Sequence, residues 1–170
     1  TKFPNFQWYL QNNSIDTYNA VAIWDDDIVA SPTEINALFN EMQAHRYIDI
    51  FTPSHSRGSY QSHFRAHNSP GIRNLDFIEM NAPIFRTEWI QGFMKIFDPI
   101  IKGWGTDIWY SHLCAASPFC TLAVSDTTRV TNPKTRKDGT REINKAQPES
   151  LRASTWAKYA KEVLHIPKDP

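Results

Sequence analysis

Residues 25–27 of the chain are three consecutive aspartates, and they follow the short apolar run 21–24. Adjacent carboxylates repel, and charge beside a core is costly unless something positive balances it. Hard carboxylate oxygens suit Mg²⁺ or Mn²⁺, which often take one or two protein carboxylates and fill the rest of their shell with substrate phosphates. Side chains at i and i+2 of an extended backbone point the same way, so Asp25 and Asp27 can share one cation while Asp26 turns elsewhere. Taken alone, the run reads equally well as a solvated turn with capping aspartates.

Three further constellations carry chemistry. In Gly103-Trp104-Gly105-Thr106-Asp107 the glycines let the backbone take positive φ or approach a ligand, and the Trp offers an apolar wall to a sugar face. Asp107 at a helix start is held ionised by the dipole, as a general base requires. The bland reading is a glycine-rich turn with an acidic cap. Asp76 and Glu79, in LDFIEMNAP, are placed to hydrogen-bond acceptor hydroxyls, or else are solvent-facing acids of a strand edge. His55, His63 and His67 invite a zinc reading, but their spacings of eight and four do not match a helix-borne ligand pair followed by a catalytic Glu. They read as loop histidines that touch substrate phosphate.

The elements that must position these residues are those of an α/β chain. A short helix or an irregular lead-in is expected around 6–11, and a strand over 18–24, its apolar centre buried on both faces as in a parallel sheet. Ser31, Pro32 and Glu34 form a helix start, and Ile35, Leu38, Phe39 and Met42 continue it to about residue 45. Residues 48–52 alternate like a strand that Pro53 ends. Residues 54–74 form a long polar loop, with room for a strand inside it. Residues 76–85 return to a strand pattern, 86–100 and about 105–116 read as helices, and 119–125 as a short strand. From 126 to 152 the chain is polar and turn-rich, a mobile surface segment; a short amphipathic helix follows over 154–164. Strands alternating with helices give the α/β class.

Totals bound the partners. Lys plus Arg equal Asp plus Glu at 18 each, so nothing global draws the chain to nucleic acid or an anionic membrane. No apolar run is long enough for a membrane span. The two cysteines, Cys114 and Cys120, are too few for a disulfide scaffold or a structural zinc site. Free thiols are the expectation, with pairing across a short loop as the alternative. Asn12-Asn13-Ser14 fits a glycosylation sequon. The chain begins with Thr, so a processed or partial chain is expected.

Together, WDDDI, IEMNAPIFRTEWI, IIKGWGTDIWYSHLC and VSDTTRV resemble, in that order, a glycosyltransferase-like family long filed as a domain of unknown function and found in plants and bacteria. The match covers roughly residues 3–132. The resemblance implies a Rossmann-like, GT-A-type mixed sheet flanked by helices, with much of the N-terminal nucleotide-binding half missing. The catalytic core would span 1–132; the polar segment and C-terminal helix, 133–170, would pack on it. The implied reaction moves a sugar from a UDP- or GDP-linked donor to a hydroxyl acceptor, with Mn²⁺ or Mg²⁺. Asp25 and Asp27 match the metal-binding D-x-D pair, and Asp26 the position near the ribose or sugar. Gly103, Trp104 and Gly105 match the donor-sugar and acceptor region, Asp107 the base of inverting members, and Glu79 an acceptor-side acid, with Asp76 beside it. Asn132 falls where the family's metal-completing His would stand and is a weaker ligand. Two other readings are a non-catalytic carbohydrate- or nucleotide-binding module on the same fold and a metal-dependent hydrolase using the aspartates and loop histidines. A cytoplasmic location is favoured, with the Golgi lumen as the alternative for a eukaryotic source.

Overall fold

A computed structural model describes residues 1–56, 59, 69–133 and 142–169. The order is α1 (Lys2–Leu10), β1 (Ala20–Ala22), α2 (Pro32–Ala44), β2 (Ile50–His55), β3 (Ile72–Leu75), β4 (Ile84–Arg86), α3 (Thr87–Ile96), α4 (Thr106–Ala115), β5 (Leu122–Val130), α5 (Glu142–Ala146) and α6 (Glu149–Tyr159), which runs into a π-helical turn, Ala160–Leu164. The strands form a mixed five-stranded sheet in the order β1-β4-β2-β5-β3. Only β2 and β5 run parallel; the other pairs are antiparallel.

Alternation along the strands sends neighbouring residues to opposite faces. Ile50, Phe85 and Leu122 join a core under α1, α3, α4 and α6, with Phe3, Phe93, Trp109 and Trp156. Phe51, Ile84 and Ala123 face the other way, against Leu38 and Met42 of α2. The sheet is thus flanked by helices on both faces, and α6 shares the larger core. α2 starts as its sequence demands: Ser31 Oγ accepts from the Glu34 N–H at 3.2 Å while Glu34 Oε2 accepts from the Ser31 N–H at 2.6 Å.

The structure corrects several expected elements. β1 is a short antiparallel strand at the sheet edge, with Ala22 exposed, rather than a strand buried on both faces. β2 does not end at Pro53. It runs on to His55 because the register with β5 shifts between Pro53 and Ser54, a bulge that absorbs the missing N–H. Residues 76–83 are irregular, and β4 begins only beyond Pro83. β5 extends through the acidic and hydroxylic stretch Asp126–Val130, expected to be a surface segment. It can do so because its buried polar groups are matched: Arg73 Nε and Nη2 donate to Asp126 at 2.8 and 3.2 Å, and Thr128 Oγ1 donates to Glu41 at 3.1 Å.

The cysteines are not free thiols. Cys114, in the last turn of α4, is bonded to Cys120 just before β5, with Cα atoms 5.0 Å apart. The intervening turn, closed by the Ser117 and Cys120 N–H groups, brings them together.

Candidate functional site

The acid triplet leaves β1 in a turn in which the Ile28 N–H reaches the Asp25 carbonyl at 3.3 Å. Asp26 is exposed, whereas Asp25 and Asp27 are half-buried; the backbone here is a turn, not the extended strand on which the i, i+2 argument rests. The Asp25 N–H donates to the Asn81 carbonyl at 2.8 Å, tying the triplet to the EMNAP segment. Glu79 accepts from the Asn81 side chain at 2.9 Å. Beyond the turn, Val29 and Thr131 exchange backbone hydrogen bonds of 2.8 and 3.0 Å, so the segment holding Asn132 runs alongside the chain leaving the triplet. Asn132 is buried there, its N–H donating to Ser59 Oγ at 3.1 Å.

The positive charge that the triplet requires comes from Lys2. Its ammonium pairs with Asp25 Oδ1 at 3.0 Å, donates to the Asn81 carbonyl at 3.3 Å, and donates to the Met80 carbonyl. Burial lowers the Lys2 pKa, opposed by the fields of Asp25, Asp107 and Asp27. The cation is therefore a shared partner of three of the acids that the sequence singles out. No signal in TKFPNF marks Lys2, because its carbonyl partners lie 78 and 79 residues away in the chain and Asp25 itself is far along it.

Asp107 enters in the first turn of α4, after Gly105. Gly103 and Gly105 have φ of 97° and 87°, a region L side chains rarely adopt. A Cβ on Gly105 would also overlap the indole of Trp156, so this glycine is required twice over. Trp104 stays 44% exposed. The Asp107 carboxylate accepts from the N–H groups of Ile108, at 3.1 Å, and Met80. Burial outweighs these hydrogen bonds and the Lys2 charge, and raises the Asp107 pKa to about 6. One turn on, the Tyr110 hydroxyl donates to the Ile78 carbonyl at 2.6 Å. Burial, and then the charges of Asp107, Glu79 and Asp25, push its pKa well up. Lys2, Asp25, Asp27, Glu79 and Asp107 thus share one electrostatic neighbourhood.

Not every candidate joins it. Asp76 is exposed and follows Leu75, which pairs with Leu122 at the start of β5, whereas Asn132 lies beyond that strand's end. His55 is no loop histidine: it is buried at the end of β2, and burial lowers its pKa, keeping it neutral. His63 and His67 lie outside the described residues. An open cleft of about 770 Å³, lined by Gln7, Asn12, Asp16, Gln91 and Lys95 among others, contains none of the clustered acids.

Among the described residues, no group of three or more His, Cys, Asp or Glu side chains is placed to hold a metal ion. A site of one or two carboxylates completed by phosphate needs no such group. The donor chemistry fits a hard cation, because Lys2 already lies against a carboxylate and two carbonyl oxygens. No helix among the described residues is long and apolar enough to cross a membrane.

No family model matches the chain. No curated protein matches it. Among solved structures, the crystal structure of A197 from STIV is similar at 13% identity and a TM-score of 0.37, covering 79% of this chain and 73% of that one.

Proposed function

We propose that this chain carries the acidic end of a glycosyltransferase of GT-A type, which moves a sugar from a UDP- or GDP-linked donor to a hydroxyl acceptor. One observation carries the reading: three segments distant in sequence, around Asp25, Glu79–Asn81 and Gly103–Asp107, converge on Lys2. They are three of the four segments on which the sequence resemblance rests.

In this reading Asp107 is the general base. A pKa of about 6 leaves it mostly ionised near neutrality, yet basic enough to take a proton. It removes the proton of the acceptor hydroxyl; the oxygen attacks the anomeric carbon; the bond from that carbon to the diphosphate oxygen breaks, and the nucleoside diphosphate leaves with the electron pair. Met80 and Ile108 N–H groups fix the Asp107 carboxylate, and Trp104 flanks the sugar. Glu79 hydrogen-bonds the acceptor. Asp25 and Asp27, with Asn132 on the neighbouring segment, would hold Mn²⁺ or Mg²⁺, which when bound supplies Lewis-acid charge to the departing diphosphate. The Cys114–Cys120 disulfide favours an oxidising compartment over the cytoplasm.

The rival is a binding module without turnover, favoured by the pairing of Asp25 with Lys2 in the resting protein. The test is calorimetric titration of UDP and GDP with and without Mn²⁺, followed by release of nucleoside diphosphate from the sugar-linked form of whichever binds. Metal-dependent binding with turnover, lost in Asp25→Ala/Asp27→Ala, is expected. Binding without turnover selects the module, and no binding by the folded chain overturns both.

A further inference from the structure

Asn12-Asn13-Ser14 is the one Asn-x-Ser/Thr sequence among the 170 residues, and nothing in the proposed chemistry uses it. It begins in the turn that follows α1, and all three residues are exposed. The Asn12 N–H donates to the Tyr9 carbonyl at 3.2 Å and so closes the helix. The two neighbouring side chains are committed: Asn13 Nδ2 donates to the Tyr9 carbonyl at 2.8 Å, and the Ser14 hydroxyl donates to Asp16 Oδ2 at 2.7 Å. The structure gives the Asn12 carboxamide no partner among the described residues, so a group added to its nitrogen displaces no hydrogen bond. Asn12 borders the open cleft of about 770 Å³ between α1 and α3, which leaves room for a bulky substituent. An independent feature points the same way. Cys114 and Cys120, the chain's two cysteines, are joined. Disulfides form and persist in secreted proteins and oxidising compartments, the setting in which Asn-x-Ser/Thr sequences act as glycan acceptors.

We propose that Asn12 is a modification site, the acceptor of an N-linked glycan. The donor class is an oligosaccharide carried on a lipid diphosphate. Asn12 Nδ2 forms a bond to the anomeric carbon at the end of that oligosaccharide, and the bond from that carbon to the diphosphate oxygen breaks. The lipid diphosphate leaves with the electron pair, and the amide nitrogen gives up one proton. The Ser14 hydroxyl completes the sequence that the modifying enzyme reads, and Asn13 between them is not the proline that would block it. A glycan is bulky and hydrated and has to stay at the surface, which the exposed turn allows. None of the clustered acids lines the cleft beside it, so the modification leaves the proposed site open. The inference shares with the proposed function only the oxidising compartment, and it does not depend on any turnover.

The experiment sends the full chain, behind a cleavable leader, through the secretory pathway of a eukaryotic host. The product is digested with a peptide N-glycosidase, an amidase that removes the glycan and leaves a carboxylate at the acceptor. The wild type is expected to lose a single glycan, seen as one downward step on a gel, with peptide mapping showing residue 12 converted from amide to acid. Asn12→Gln and Ser14→Ala are each expected to run as the digested wild type does, before and after digestion. Ser14→Thr keeps the sequence readable and is expected to keep the glycan. A leader-cleaved, disulfide-bonded wild type with an unmodified Asn12 overturns the proposal, and so does a glycan that persists in Asn12→Gln. Chain retained inside the host decides equally well, because leader cleavage shows that it has entered the compartment. Failure of the glycosyltransferase reading shows up separately, in the nucleotide titration.

Discussion

Lys2 and Phe3 are neighbours in sequence and anchor two opposite kinds of interior. Phe3 is fully buried among Phe85, Phe93, Phe97 and Tyr110, with ring centroids 6.1–6.4 Å away. Lys2 sits among carboxylates and carbonyl oxygens. The aromatic side draws mainly on area removed from water, which is non-directional, with edge-to-face contacts adding to it. The polar side is directional, and each group there is tolerable only because a specific partner is present. α4 repeats the arrangement, with Asp107 facing the acids and Trp109 in the aromatic core. The core fixes where the helices lie; the polar end then depends on that placement for its distances.

The sharpest break between the two regions is Asp107→Asn. Loss of a general base is expected to cut transfer by roughly 10²–10⁴-fold. The fold should not suffer. The folded pKa of about 6 lies above the ordinary aspartate value, so the native state holds its proton more tightly than the unfolded chain. Ionisation then costs stability as pH rises from about 4 to about 6. The variant lacks that loss, and its melting temperature at pH 7 is expected to equal or exceed the wild type's. In the wild type, activity should climb with pH through about 6 as the base ionises. A flat rate profile over that range removes Asp107 from the role.

Phe3→Ala tests the other side. Truncating a fully buried Phe leaves a cavity and is expected to cost about 3–5 kcal/mol in denaturant unfolding. Since Lys2 is the adjacent residue, Mn²⁺ and nucleotide binding should change in this variant even though no polar group is altered. Unchanged binding in a folded Phe3→Ala protein would uncouple the two regions.

Cys120→Ser probes a third point, where α4 is tied to the start of β5. Opening so short a loop is expected to cost roughly 2 kcal/mol, read as a lower melting temperature that reductant no longer changes. It should leave the site's affinities alone, because the bond lies at the opposite end of α4 from Asp107.

What was legible in the sequence follows the same division. Helices α2, α3 and α4 are legible because their signals are local: the aromatic stripe of α3, the glycine turn before α4 and the cap of α2 each lie within a few residues; α5 (Glu142–Ala146) and the first turn of α6, inside the stretch expected to be a polar surface segment, are not. The acid triplet itself is plain in the sequence, but the strand period does not describe it, because the chain turns at Asp26 and Asp27. Lys2 was not legible, since its partners are brought to it by the packing of Phe3. β5 was cut short because Asp126 and Thr128 look like surface residues until Arg73 and Glu41 are seen against them. The disulfide was missed because composition alone cannot show that a turn closes on Cys120. Long-range partners account for Lys2 and β5; the disulfide depends on a local turn that composition does not show.

Ser31 is the converse case, a feature whose whole environment lies within four residues. Its side chain and that of Glu34 satisfy each other's backbone donors at the start of α2. α2 packs on the sheet face away from Phe3, with Leu38 and Met42 buried. Ser31→Ala is expected to cost about 1 kcal/mol, or a fall of roughly 2–4 °C in melting temperature. It should leave Mn²⁺ affinity and the pH profile unchanged, because it alters neither the acids nor the face that seats α1. If this small change did move Mn²⁺ affinity, the turn from Asp25 to Ser31 would be transmitting strain from the helix cap to the acids. Metal binding would then depend on α2 as well as α1, and the division between a packed side and a polar side would have to include the cap.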